Sequence, residues 1–99
     1  MNAYSDYKLR DLRLTMLKSL RAQGDRTANE KILQLEAKQF GLAFPREVIR
    51  EELRFLERLQ AVVIREAGSV MIASLKRRGE DHLERLIELE GVDAPSLEA

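Results

Sequence analysis

With 99 residues, 44% of them hydrophobic and 34% charged, the chain has enough material for one small core and no room for a second domain. Seventeen Lys and Arg balance seventeen Asp and Glu, so the whole molecule generates little field to draw it onto a polyanion, and the signs are mixed as on solvated helix faces. Without cysteine there can be no disulfide and no thiolate metal site; with no window near the roughly 18 apolar residues of a span and no leader-like stretch at Met1 to Ser5, a cytoplasmic chain without signal peptide is expected.

From Asp6, the recurrence of Leu9, Leu12, Met16 and Leu20 at three- and four-residue steps, widened by Leu17, predicts a helix to about Ala22, with Ser5 as N-cap. Gln23-Gly24-Asp25 ends it, glycine supplying the left-handed residue. A second helix follows, capped either by Thr27 with Glu30 as a capping box or by Asn29. Ile32, Leu33, Leu35, Ala37 and Phe40 give it a wide apolar face, and Gly41 stops it.

Ala43-Phe44 forms a short turn, about four residues separate the helices, and Pro45 opens a third helix to about Gln60. Val48, Ile49, Leu53, Leu56 and Leu59 make its buried stripe. Two helices joined so tightly form the core of a helix-turn-helix. The β-branched runs Val62-Val63-Ile64 and Val70-Met71-Ile72, separated by Arg65 to Ser69 with Ala67-Gly68 at the bend, predict a β-hairpin. Leu75 to Gly79 then leads into a last helix whose Leu83, Leu86 and Ile87 face one way, ended by Gly91 with Pro95 soon after. The expected architecture is mainly α with a small β-hairpin: a winged helix-turn-helix of three helices, a β wing and a C-terminal helix. It occupies residues 1–91 as a single domain, with residues 92–99 a loosely ordered tail.

The run from Val48 to Val63, and the run from Ala73 to Leu83, resemble the recognition-helix-into-wing and wing-exit segments of ArsR-like and MarR-like regulators. Ser74 and Leu75 stand near the place of a Leu-Thr pair in those families, without its threonine. More closely, Leu12 to Ser96 resembles a family of small winged-helix proteins of Mu-like phages and prophages, through Arg13-Leu14-Thr15, Asn29-Glu30, Gly91-Val92 and Pro95-Ser96. The resemblance implies fold and origin more than activity. It also implies DNA-binding candidates: Arg46, Glu47, Arg50, Glu51 and Arg54 on the third helix and Arg65 on the wing.

Arg46, Arg50, Arg54 and Arg58 recur every four residues, a stripe suited to phosphate and guanine. Glu47, Glu51 and Glu57 stand three positions from these arginines, so the stripe reads equally as a self-paired solvated face. Lys76-Arg77-Arg78 is the one run of three like charges and sits where winged helices approach the backbone of DNA. His82, on a polar part of the last helix, has no metal partners nearby, and no nucleophile–base constellation or P-loop is present. The chain is therefore read as no enzyme, without cofactor or metal.

Tyr4, Tyr7 and Phe55 are the aromatics least clearly core. Tyr7, Leu14, Leu17, Leu86 and Leu89 are read as a homodimer surface, with a monomer core as the plainer account. Two functions remain open. One is a dimeric phage transcription regulator binding duplex DNA through the third helix and wing. The other is a protein–protein module in phage assembly or packaging, which requires the glutamates to neutralise the arginine face and an apolar patch to stay exposed.

Overall fold

The computed structural model describes residues 4–96. It contains four helices and a small antiparallel sheet, in the order α1 (Asp6–Ala22), β1 (Thr27–Asn29), α2 (Glu30–Gln39), α3 (Arg46–Arg58), β2 (Val62–Ala67), β3 (Val70–Leu75) and α4 (Arg77–Leu83). The three helices and the hairpin therefore stand where the apolar periodicities put them. No helix of the described residues is long and apolar enough to cross a membrane.

The strand Thr27–Asn29 is an addition to the expected architecture. Three residues are too few to show an alternation. They pair antiparallel with β3, giving the sheet order β1-β3-β2. A cross-strand hydrogen bond of 2.8 Å joins the hydroxyls of Thr27 and Ser74. Thr27 is thus a strand residue, and Asn29 is the cap of α2, its Oδ1 accepting from the Ile32 N–H at 2.9 Å. The residue that takes positive φ between α1 and β1 is Arg26, at 59°, and not Gly24.

α1 is the central post of the core. Leu12, Met16, Leu17 and Leu20 are fully enclosed and meet Leu33 and Ala37 of α2, Ile49, Leu53 and Leu56 of α3, and Met71 and Ala73 of β3. On α2 the inward positions are Glu30, Leu33 and Ala37. Their i, i+3, i+7 spacing leaves Ile32 and Leu35 on the other side of the helix, whereas Phe40, on the Leu33–Ala37 side by spacing, stands exposed as the cap just past the last turn. The wide face expected for α2 is therefore split, and those three side chains are exposed. Gly41, at φ 82°, does close α2, and six residues separate it from α3.

The hairpin pairs Val62 with Leu75 through Ala67 with Val70, leaving Gly68 and Ser69 as a two-residue turn with Gly68 at φ 61°. The bend is thus one residue later than expected.

The last helix departs most from the periodicity. It stops at Leu83, and Arg85 at φ 64° turns the chain back. Leu89 and Val92 then enter the core while Leu86 stays exposed, so residues 86–96 form a return segment in place of a longer helix and a loose tail. Residues 97–99 of the expected tail lie outside the described residues. The physical reason is His82, which is buried and not polar surface. Its Nδ1 accepts from the Leu89 N–H at 3.1 Å, which leaves the proton on Nε2 to donate to the Asp93 carbonyl at 2.8 Å. A second tie comes from Arg13, whose Nη1 donates to the Gly91 carbonyl at 2.7 Å and whose Nε donates to Glu52 Oε1 at 2.6 Å. The same guanidinium lies 3.7 Å over the Phe55 ring. Every buried side-chain nitrogen or oxygen of the described residues has a partner.

Gly79 is inside α4 because a Cβ there would stand 2.5 Å from the Ala61 carbonyl oxygen. Gly79→Ala is therefore expected to destabilise by about 1–3 kcal/mol, the cost of overpacking, although alanine is the better helix former by about 1 kcal/mol. Gly24 has open space and no positive φ, so Gly24→Ala is expected to stabilise by about 0.4–1 kcal/mol. Urea midpoints of the two variants check the pair.

Candidate functional site

The inward stripe of α3, Val48, Ile49, Leu53 and Leu56, leaves Arg46, Arg50 and Arg54 on the side of the hairpin. What they meet there is set by Glu30. This carboxylate opens α2 and has no exposure to solvent. Its Oε1 accepts from Arg46 Nε at 2.6 Å and its Oε2 from Arg50 Nη1 at 2.7 Å. Oε2 also accepts from the Met71 N–H of β3 at 2.5 Å. The two guanidinium groups then reach the tip of the hairpin, where the Ser69 carbonyl accepts from Arg46 Nη2 at 2.7 Å and from Arg50 Nη1 at 3.2 Å. One buried charge thus binds α2, α3 and β3 together.

Burial by itself pushes the Glu30 carboxyl up. Hydrogen bonds from Arg46, the Met71 amide and Arg50, with the charge of Arg50, outweigh that and hold it below its ordinary value of 4.5. Arg54, one turn further on, is held by two carboxylates, Glu57 Oε1 and Glu66 Oε2, each at 2.9 Å. Of the intrahelical pairs allowed by spacing, Arg54 with Glu57 forms. Arg46 and Arg50 instead take a carboxylate from α2, and Arg54 takes a second from β2.

Glu47 and Glu51 are exposed on α3 without a partner, and Arg65 is exposed on β2, likewise without one. The face formed by α3 and the hairpin therefore carries three arginines matched by Glu30, Glu57 and Glu66, with two free carboxylates, Glu47 and Glu51, and two cations outside any ion pair, Arg65 and Arg58, the latter 5.9 Å from the Phe55 ring. It is not a positive surface.

The Lys76-Arg77-Arg78 run does not join it. Lys76 Nζ donates to Gln60 Oε1 at 2.7 Å and Arg78 Nε to the Leu59 carbonyl at 3.1 Å, which fixes both at the end of α3 and the base of the hairpin. Arg77 points outward, paired loosely with Asp81 at 3.4 Å. The strand Val70–Leu75 separates this run from the Ser69 turn by about 20 Å at about 3.3 Å per residue. The nine candidate residues thus fall into two groups at opposite ends of the hairpin.

Of the five residues read as a homodimer surface, Leu14, Leu17 and Leu89 are buried in the chain's own core, and only Tyr7 and Leu86 are exposed. Those three are core because α1 is covered by α2, α3 and the return segment together. Among the less assigned aromatics, Tyr4 meets the Phe44 ring edge-on at 4.8 Å and Phe55 is the platform for Arg13.

Sequence reasoning missed Glu30 and Glu66 as partners of the arginines. Glu30 was visible only as an acidic residue near a helix start, where a capping role is the ordinary expectation. Among the described residues no group of three or more His, Cys, Asp or Glu could hold a metal. No protein-family model, curated protein or solved structure matches the chain.

Glu30→Gln keeps the shape of the side chain but removes the charge and turns one of its two accepting oxygens into a donor facing a donor, and is expected to cost about 3 kcal/mol. Because the folded-state pKa of Glu30 lies below its unfolded value, this contribution is complete above about pH 4.5 and is lost as pH falls through the depressed folded value. The gap between wild-type and Glu30→Gln urea midpoints is therefore expected to be constant from pH 7 to 5 and to close under acid. A gap that stayed constant to pH 2 would contradict it.

Proposed function

We propose that the chain is a winged helix-turn-helix module that works by binding another protein, without catalysis, as a component of phage assembly or packaging. The fold part of this reading is supported by α2 and α3 joined through six residues, by the β2–β3 hairpin lying against α3, and by the small strand β1 closing the sheet. In that arrangement α3 stands as recognition helix and the hairpin as wing. The phage setting rests on the sequence resemblance.

The observation that carries the protein-binding reading is the neutralisation of the α3–wing face. Arg46, Arg50 and Arg54 are committed to Glu30, Glu57 and Glu66, and the unpaired Arg58 and Arg65 are balanced by the unpaired Glu47 and Glu51, while Ile32, Leu35 and Phe40 stand exposed at α2. Phosphate contacts provide most of the affinity of duplex binding, and a face whose cations are each matched by a carboxylate has little to offer them.

A second reading, a DNA-binding regulator of transcription, is favoured by one observation: Arg65 and Arg77 are exposed cations on the wing and at its base. These would give backbone contacts without base readout.

Fluorescence-anisotropy titration with a random duplex at low and moderate salt separates the two. The expected result is no binding tighter than about 10⁻⁴ M, weaker than ordinary non-specific association. Micromolar binding that weakens with salt and is reduced in Arg65→Ala/Arg77→Ala would overturn the protein-binding reading and establish the second.

A further inference from the structure

The helix left unabsorbed by the core is α2. Its outward side carries Leu35 at 59% exposure, Ile32 at 41% and, at its end, Phe40 at 72%. Surface clefts run along both flanks. One is lined by Lys31, Leu35, Lys38 and Phe44, and the other, between α1 and α2, by Lys18, Glu36 and Phe40. Lys18, Lys31 and Lys38 make no hydrogen bond or ion pair, in contrast to Arg46, Arg50 and Arg54 of α3. The unpaired positive charge of this part of the molecule therefore borders an apolar ridge, with Glu36 the one carboxylate lining either cleft.

We propose that the outward face of α2 is the docking site of the protein-binding module described above, and that it receives an acidic amphipathic helix of the partner. Ile32 to Phe40 spans about 12 Å, two helical turns, which matches apolar anchors at i, i+3 or i+4, and i+7 on a facing helix. Carboxylates on the flanks of that helix meet Lys31 and Lys38 on one side and Lys18 on the other. The long lysine stems cover the rim of the apolar contact while their ammonium groups stay at its edge. A second copy of this chain is a poor occupant, because pairing α2 with α2 brings two faces of the same charge together, and like charges in contact are a means by which wrong partners are rejected. The inference rests on the protein-binding reading and adds the surface and the chemistry of the partner.

The test is an amide chemical-shift titration of the whole ¹⁵N-labelled chain. The probe is a helical peptide of about 14 residues, about 20 Å long, with leucine anchors at i, i+3 and i+7 and glutamate on both flanks. The same peptide with lysine flanks is titrated in parallel. The expected result is a response centred on Ile32, Leu35 and Phe40 with the acidic peptide, weakening with salt, and at least about tenfold weaker binding of the lysine peptide. Leu35→Asp/Phe40→Asp, at exposed positions that leave the fold intact, is expected to abolish the response with an unchanged urea midpoint. Lys31→Glu/Lys38→Glu is expected to invert the preference between the two peptides. Equal response to both peptides, a response away from α2, or none would overturn the proposal. Titration of the same sample with duplex DNA keeps the two failures apart. Shifts on α3 and the wing with DNA would remove the protein-binding reading itself, and DNA shifts on α2 would assign its lysines to phosphate. Silence of α2 to peptide together with silence to DNA would overturn only the surface proposed here.

Discussion

A carboxylate fully withdrawn from water must be met by charge and by hydrogen-bond donors, or it destabilises the fold by several kcal/mol. Glu30 is such a group, and meeting that requirement organises the molecule around it. It anchors Arg46 and Arg50, whose side chains stay partly exposed, takes the Met71 amide of β3, and through the two arginines reaches the Ser69 carbonyl at the tip of the hairpin. The angle between α3 and the hairpin is therefore set by an electrostatic contact at their shared face as well as by the apolar packing beneath. The Arg13–Glu52 pair does a similar service on the far side, joining α1 to α3 and to the return segment at Gly91. Both contacts use the planar, multiply donating guanidinium, which a lysine at the same position could not reproduce.

The same constraint governs function. A stripe of arginines at four-residue spacing looks like a surface for nucleic acid when each side chain is considered with its own helix. In three dimensions the stripe is a structural seam. Two of its cations are spent on Glu30 and a third is shared by Glu57 and Glu66, while Glu47 and Glu51 remain free on the exposed side. Arg58 and Arg65 stay unpaired beside it, balanced by Glu47 and Glu51, whereas Lys18, Lys31 and Lys38 are unpaired around α2, next to the apolar side chains that the core does not use. Charge and hydrophobicity thus point to one face of the molecule, and it is a different face from the one suggested by the order of helices and strands.

Much of the fold was legible from one sequence because its signals are local. The leucine spacing of α1, the Val48-to-Leu56 stripe of α3 and the two β-branched runs of the hairpin each specify an element without reference to the rest. Three features were not legible, for distinct reasons. The strand Thr27–Asn29 is too short to show periodicity and exists because β3 offers an edge. The helix expected to run to Gly91 ends at Leu83 because His82 captures the backbone of Leu89 and Asp93, a contact that only the folded chain brings about. The outward placement of Ile32 and Leu35 follows from the burial of Glu30 on the same helix, and that of Phe40 from the end of the helix at Gln39; a glutamate is the last residue that hydrophobic periodicity would assign to a core. At the candidate site all nine residues could be named in advance, but their partners could not, since Glu30 and Glu66 come from other elements.

Arg46, Arg50 and Arg54 are held in the fold and do not project free toward a ligand, and arginine side-chain NMR at pH 7 tests this most directly. The Nε–H of Arg46, bonded to buried Glu30, is predicted to exchange slowly with water and to persist as salt is raised, as does that of Arg13 bonded to buried Glu52, while the Nε–H of exposed Arg65 exchanges fast. An Arg46 signal that exchanges as fast as that of Arg65, or that salt releases, would contradict the account and return the stripe to the surface as a site for polyanions.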